Sequence, residues 1–447
     1  MDNKTKLGTE PVGKLIVQLS LPSIAAQLVN MLYNIVDRIY VGRIPGEGTL
    51  ALAGLGVTFP IIMLISAFAM LAGMGAPRAS YAMGEGDYKK AEKYLGNSAA
   101  LLIVFAVILS VVFYITKDRI LLAFGASQNT LPYANSYLEI YLIGTVFVQM
   151  TLGLNMFITN QGFPKISMLT VCIGAVINII LDPIFIYGFG MGVQGAALAT
   201  IISQCVSFIW VMRFLAGKKT LIKLKLSAMI PDKNIIGSIL ALGAAPFVMQ
   251  STECLIQLTF NKGMLKYGND SYVAIMSMLF SIMQLVWMPL TGFSQGVQPI
   301  ISYNYGAKNI GRVKRAFKLQ ITINMIFSIV SVAAVELFPG VFLRLFSADR
   351  TIIDMGQNAL RLFMAGMWAM GAQSACQQTF VALGEAKISM FLACLRKIIL
   401  LFPLALIIPA VTGLGVWGLF LAEPISDIIA ASVTTSMYYF RSKKILK

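Results

Sequence analysis

The chain has 447 residues, 57% of them hydrophobic and 12% charged, with a mean hydropathy of +0.78. A soluble domain carries roughly 25% charged residues, so the composition excludes an anchored globular enzyme and points to an all-α, multi-pass membrane protein. The formal net charge of +16 raises the question of a nucleic-acid partner, but the basic residues sit in loops between apolar runs, and none is expected.

Hydropathy predicts twelve spans, near 14–42, 50–75, 94–116, 133–160, 165–188, 192–215, 235–262, 271–302, 316–338, 355–381, 386–410 and 414–439. The first keeps Pro and polar residues and lacks a small-residue cleavage site, so it reads as a retained helix. Lys89, Lys90 and Lys93 follow the second span. Lys218, Lys219, Lys223, Lys225 and Lys233 lie between the sixth and seventh, and Lys308, Arg312, Lys314 and Arg315 between the eighth and ninth. The alternate loops 189–191 and 411–413 carry no Lys or Arg. The positive-inside rule places both termini and the basic loops in the cytoplasm.

The second half repeats the first at an offset of about 222 residues. Gly162-Phe163-Pro164-Lys165-Ile166-Ser167-Met168 answers Gly384-Glu385-Ala386-Lys387-Ile388-Ser389-Met390, Pro77 answers Pro299, and Gly84 answers Gly306. Phe124-Gly125-Ala126 answers Phe346-Ser347-Ala348, and Gly192-Val193-Gln194-Gly195 answers Gly415-Val416-Trp417-Gly418. Each half holds an even number of spans, so the repeat is parallel, a ground plan of secondary transporters. The expected organisation is an N-lobe at 1–215, a cytoplasmic linker at 216–234 long enough to let two bundles rock, and a C-lobe at 235–447.

There is no histidine, no Gly-rich phosphate loop and no metal-ligand spacing, which argues against an enzyme and against ATP as energy source. The five cysteines lie in apolar spans and read as small core residues. Charges inside the spans are costly and mark pathways: Asp37, Arg38, Glu139, Asp182, Glu253, Arg361, Arg396, Lys397, Glu423 and Asp427. At about 1.5 Å per residue, Asp37, Glu139, Asp182 and Thr200 fall at similar depth, with Asn178 one turn from Asp182. Two carboxylates with an amide and a hydroxyl suit Na⁺ or a shared proton. Asp37 corresponds to Asn261 in the repeat and Asp182 to Phe402, so the fold itself does not require these acids. Pro22 and Pro183 remove helix hydrogen bonds, and Pro22 is the expected hinge. In the second half, Arg361 or Arg396 is expected to pair with Glu423, and Arg396 and Lys397 to snorkel; Glu253 or Glu423 is the alternative cavity acid. Met63, Met70, Met150, Asn155, Gln284 and Met288 are candidate cavity linings, with Glu253 and Glu139 beside them.

With these residues in place, the chain resembles the multidrug and toxic compound extrusion family over nearly its whole length. The most specific stretch is Asn178-Ile179-Ile180-Leu181-Asp182-Pro183, followed by Gly192-Val193-Gln194-Gly195-Ala196-Ala197-Leu198-Ala199-Thr200. The resemblance implies two six-helix bundles in a V around a central cavity and an N-lobe cation site at Asp37, Asn178, Asp182 and Thr200. It implies export of amphipathic, often cationic, drugs against inward H⁺ or Na⁺, with no other cofactor. Glu253 falls where some members carry a functional acid, but Met370-Gly371-Ala372-Gln373-Ser374-Ala375-Cys376 lacks the acid those members have in the tenth helix. Expected partners are a small organic substrate and membrane lipid, with the chain a monomer. The alternative is a lipid-linked oligosaccharide flippase of the same superfamily, for which a more basic cavity is expected.

Overall fold

The computed structural model describes residues 3–346 and 349–446, so Ser347 and Ala348 of the repeat and the terminal Lys447 lie outside the described residues. The first half comprises α1 (Asn3–Thr9), α2 (Val12–Gly42), α3 (Gly48–Gly73), α4 (Gly75–Gly84), α5 (Tyr88–Ala123), α6 (Leu131–Ile143), α7 (Thr145–Asn160), α8 (Pro164–Pro183) and α9 (Gly192–Ala216). The second comprises α10 (Lys233–Tyr267), α11 (Asp270–Gly306), α12 (Ile310–Leu337), α13 (Pro339–Arg344), α14 (Arg350–Met364), α15 (Met370–Ala382), α16 (Ala386–Cys394), α17 (Phe402–Thr412) and α18 (Val416–Ile445). A π-helical stretch joins α8 to the next loop (Ile184–Gly188) and another joins α16 to α17 (Leu395–Leu401).

Among the described residues, ten helical segments are long and apolar enough to cross a membrane, or eleven if α6 and α7, bent by 60° at Gly144, form one span. The remaining pass, α14 with α15, is weaker because α14 carries Arg350, Asp354 and Arg361 and is separated from α15 by a short 3₁₀ turn at Met367–Ala369. Only one face of α14 is apolar and buried, with Ile353, Leu360 and Phe363 directed inward. Several helices also run past their apolar cores, which is why α5 and α12 begin six residues before the predicted spans.

The repeat is visible in the backbone. Gly162 and Gly384 both adopt positive φ (87° and 79°), as do Gly192 and Gly415 (54° and 57°). Positive φ at each position favours the residue without a Cβ, so the two copies keep the same glycines. Pro77, Gly84, Pro299 and Gly306 repeat for a different reason, because they form the contact between the halves. Ser80 Oγ donates to the Pro299 carbonyl at 3.4 Å. A Cβ on Gly84 would lie 2.0 Å from the Tyr303 carbonyl oxygen, and one on Gly306 would lie 2.1 Å from that of Tyr81.

These contacts gather at the end of the molecule that carries the basic loops. There α2 packs on α11, with Ser20 Oγ donating to the Phe293 carbonyl at 3.1 Å, and α3 packs on α10 through Phe68 and Phe247. Further along, Gln27 Nε2 donates to Gln295 Oε1 at 3.1 Å, and Gln250 Nε2 approaches Met63 Sδ at 3.0 Å. Beyond Gln27 the polar stripe of α2 continues through Asn30, Asn34 and Arg38, all exposed. The stripe Gln257 and Asn261 on α10 is likewise partly exposed. Polar faces this deep in apolar helices belong to a water-filled cleft rather than to lipid. The halves are therefore closed at the basic end and parted at the other.

The linker differs from expectation. It is docked on the first half, so its full length is not available for rocking. Buried Gln161 accepts from the backbone N–H of Leu221 and Ile222 and from Thr220 Oγ1. Glu92 accepts from the Lys223 N–H at 3.2 Å and pairs with Lys225 at 2.6 Å. Asn97 donates to the carbonyls of Ala228 and Ile230 and accepts from the Asp232 N–H. Any rocking between halves is left to the few residues around Asp232, which caps α10.

Candidate cation site and the charged cluster of the second half

Four helices of the first half converge on one buried compartment. α8 places Asn178 and Asp182 one turn apart on its inner face, both fully buried. Asn178 Nδ2 donates to Asp182 Oδ1 at 3.3 Å and to Thr200 Oγ1, on α9, at 3.4 Å. α2 brings Asp37, itself buried, with its carboxyl within hydrogen-bonding reach of Asp182. Asp37 Oδ1, Asn178 Oδ1 and Asp182 Oδ2 are buried with no hydrogen-bond partner among the described residues. Unsatisfied acceptors at this depth are costly. An all-oxygen set of two carboxylates, an amide and a hydroxyl, short of donors, fits a hard monovalent cation or a proton. Among the described residues, no group of three or more His, Cys, Asp or Glu converges as a metal centre would require.

Sequence reasoning missed the rim of this compartment. Tyr33, one turn before Asp37, and Tyr137 of α6 both reach the Thr200 side chain, and Tyr141 stacks on Tyr137 with ring centroids 6.0 Å apart. The spacing Tyr33–Asp37 and Tyr137–Tyr141 was the available signal. Glu139 does not join them. Lying between the two tyrosines, it projects to the opposite face of α6 and pairs with Lys117 of α5, so equal depth did not mean convergence.

The other candidate residues are dispersed. Met63 meets Gln250 across the halves, and Gln284, Met288 and Met70 are partly buried on α11 and α3. Met150 is core. Asn155 Nδ2 donates to the Ser167 carbonyl at 3.2 Å, tying α7 to α8. Glu253 lies one turn beyond Gln250 on α10 and pairs with Lys397. Arg361 donates to the Glu336 carbonyl and does not meet Glu423. Arg396 does: its guanidinium contacts Glu423 Oε1 at 3.1 Å and Asp427 Oδ1 at 2.8 Å, with Trp287 5.8 Å below. Neither Arg396 nor Lys397 snorkels; each is 7% exposed. On a regular α-helix adjacent residues diverge by about 100°, and the π-helical stretch Leu395–Leu401 accommodates two neighbouring cations aimed at one cluster. Arg396→Leu should strip two buried carboxylates of their guanidinium and cost about 3–5 kcal/mol. Thermal unfolding of the solubilised protein measures this, and an unchanged midpoint would mean that the ion pairs carry no stability.

A parallel two-bundle fold, a cleft between bundles and a buried acidic site beside that cleft define a membrane transporter. The family model MatE matches residues 22–184 and 246–407, once in each half. The chain belongs to the MatE family. It is 28% identical to the multidrug export protein MepA of Staphylococcus aureus (strain NCTC 8325 / PS 47) over 424 residues, 94% of this chain and 93% of that protein. Among solved structures it is similar to the outward-facing conformation of a multidrug resistance MATE family transporter, with a TM-score of 0.91 at 25% identity, covering 100% of this chain and 99% of the other. It is also similar (TM-score 0.92, 26% identity, 100% and 99% covered) to a MOP superfamily transporter from Pyrococcus furiosus Vc1, whose binding pocket of reverse polarity is described as suggesting a different function.

Proposed function

We propose that this transporter exports amphipathic organic cations across a bacterial inner membrane in exchange for H⁺ or Na⁺, with the basic loops and both termini in the cytoplasm. The carrying observation is the set of orphaned oxygens at Asp37, Asn178 and Asp182, of which Asp37 lies on α2, the helix that also makes the contact between the halves. A cation bound there supplies the neutralising charge that lets the two carboxylates sit together. α2 links that event to the cleft: its basic-end half grips α11, and its other half carries Tyr33 and Asp37. Pro22 leaves the Gln18 carbonyl without its usual donor, and Ser23 Oγ bonds back to the Leu19 carbonyl at 2.9 Å. Both features loosen the same turn. In this orientation the described conformation is open to the outside.

A lipid flippase is the second reading. The two deep cations of the second half, the groups that would hold an anionic headgroup, are both engaged by carboxylates, which supports the export reading instead. Reconstituted protein, a fluorescent organic cation and separately imposed proton and sodium gradients test it. Efflux driven by one gradient is expected; no gradient-driven efflux from folded protein would leave lipid substrates to be assayed. Pro22→Ala restores a hydrogen bond worth about 1 kcal/mol to the straight helix. Export should slow roughly five- to tenfold, and an unchanged rate would remove Pro22 from the mechanism.

A further inference from the structure

The charged cluster of the second half does not balance. Glu253, Glu423 and Asp427 face two fixed cations, Arg396 and Lys397; Lys397 pairs with Glu253 and also neighbours Glu423 and Asp427. The other ionisable groups on the helices packed around Glu423 are turned elsewhere. Arg361 of α14 donates to the Glu336 carbonyl, Cys376 of α15 lies by Thr435 and Tyr438, and Lys266 of α10 lies over Tyr267, more than three turns from Glu253. Lys262 is exposed more than two turns away on the same helix, and α17 contributes no ionisable residue. One carboxylate is thus left without a counter-charge among the described residues.

Geometry identifies which one. Asp427 Oδ1 accepts from both Arg396 Nε, at 2.9 Å, and the Arg396 terminal nitrogen. Glu423 Oε1 accepts from Arg396, but its Oε2 is buried without a partner, in a side chain 3% exposed. An unpaired charge at this depth would cost several kcal/mol. The adjacent guanidinium and ammonium, and the lack of a third ligating group, disfavour an inorganic ion. A proton fits.

We propose that Glu423 is a second proton-binding site of the transporter, and that its proton is exchangeable for an organic cation arriving at Glu253. Glu253 is 23% exposed, one turn past Gln250, which meets Met63 across the halves. A cation there releases Lys397, whose ammonium then balances Glu423, and the proton leaves to water in the cleft. Charge is conserved: one organic cation in, one proton out. The exchange rests on the export reading; the proton site does not.

Infrared difference spectroscopy of the purified full-length Asp37→Asn/Asp182→Asn variant tests both parts, the first-half pair being silenced. The C=O stretch of a buried protonated carboxylic acid should be present, and should vanish with Glu423→Gln. It should also vanish with Glu253→Gln, which removes one negative charge at a distance, and grow with Lys397→Met, which removes a positive one. A purely structural ion-pair cluster would not show that pattern. Bound tetraphenylphosphonium, with binding followed by calorimetry, should abolish the band. Absence of the band in folded protein, its survival in Glu423→Gln, or its persistence with the probe bound overturns the proposal. Protein that shows the band yet binds no organic cation contradicts the export reading and leaves the proton site standing.

Discussion

Asp182→Asn is expected to reduce gradient-driven export to the level of empty liposomes while leaving a folded protein in the membrane. The substitution keeps the shape of the side chain, and an amide at 182 still accepts from Asn178 Nδ2, now 3.3 Å from Asp182 Oδ1. It removes a formal charge from a compartment that has no fixed counter-charge at Asp182 and three orphaned oxygens, so the driving cation loses half of the charge that holds it. Stability should not fall, since repulsion between two buried carboxyls is relieved. The pairing of lost transport with an unchanged or raised unfolding midpoint separates coupling from folding. Full gradient-driven export by Asp182→Asn would remove the carboxylate pair from the coupling mechanism.

The second large effect is conformational. Gly84→Ala or Gly306→Ala should drive the halves apart at the basic end. Each added Cβ would lie about 2 Å from a carbonyl oxygen of the other half, at Tyr303 and Tyr81 respectively, and backbone atoms cannot rotate away as a side chain can. Overpacking of this kind costs about 1–3 kcal/mol, enough to shift a two-state equilibrium about 5- to 150-fold. Spin labels on exposed Lys89→Cys and Lys314→Cys, in a background without the five native cysteines, report the distance across that end. The short-distance population should fall in both variants. If the distribution is unchanged, the crossing of α4 and α11 is not what holds the basic end shut.

The fold was legible where a backbone demand leaves a residue signature. Positive φ at Gly162, Gly192, Gly384 and Gly415 and the glycines at the contact between halves mark both copies of the repeat, so the two-bundle plan could be read from the chain. The candidate cation site was legible to the extent that Asn178 and Asp182 share a face of one helix and Thr200 lies beside Asn178. Depth alone misplaced Glu139: two residues from both Tyr137 and Tyr141, it had to point away from them, and azimuth carried the information that depth did not. The tyrosines were passed over because an amphipathic ring in a span serves equally as an interface anchor. The second-half cluster was legible as a pairing of Arg396 with Glu423. The additional turn-in of Lys397 depends on a π-helical stretch that no local propensity announces. The docking of the linker was not legible for a similar reason, since its partners Gln161, Glu92 and Asn97 lie 59 to 135 residues away in sequence.

The central claim is that cation and substrate move in opposite directions through this pair of lobes, coupled at Asp37 and Asp182. It is tested most directly by running the transporter on substrate alone. Proteoliposomes with equal H⁺ and Na⁺ on both sides are given an organic-cation gradient, and pH- and Na⁺-sensitive dyes follow the counterflow. Movement of one of these cations against the substrate, lost in both Asp37→Asn and Asp182→Asn, is the predicted result. Substrate movement with no cation counterflow, or counterflow undiminished in both variants, would contradict it.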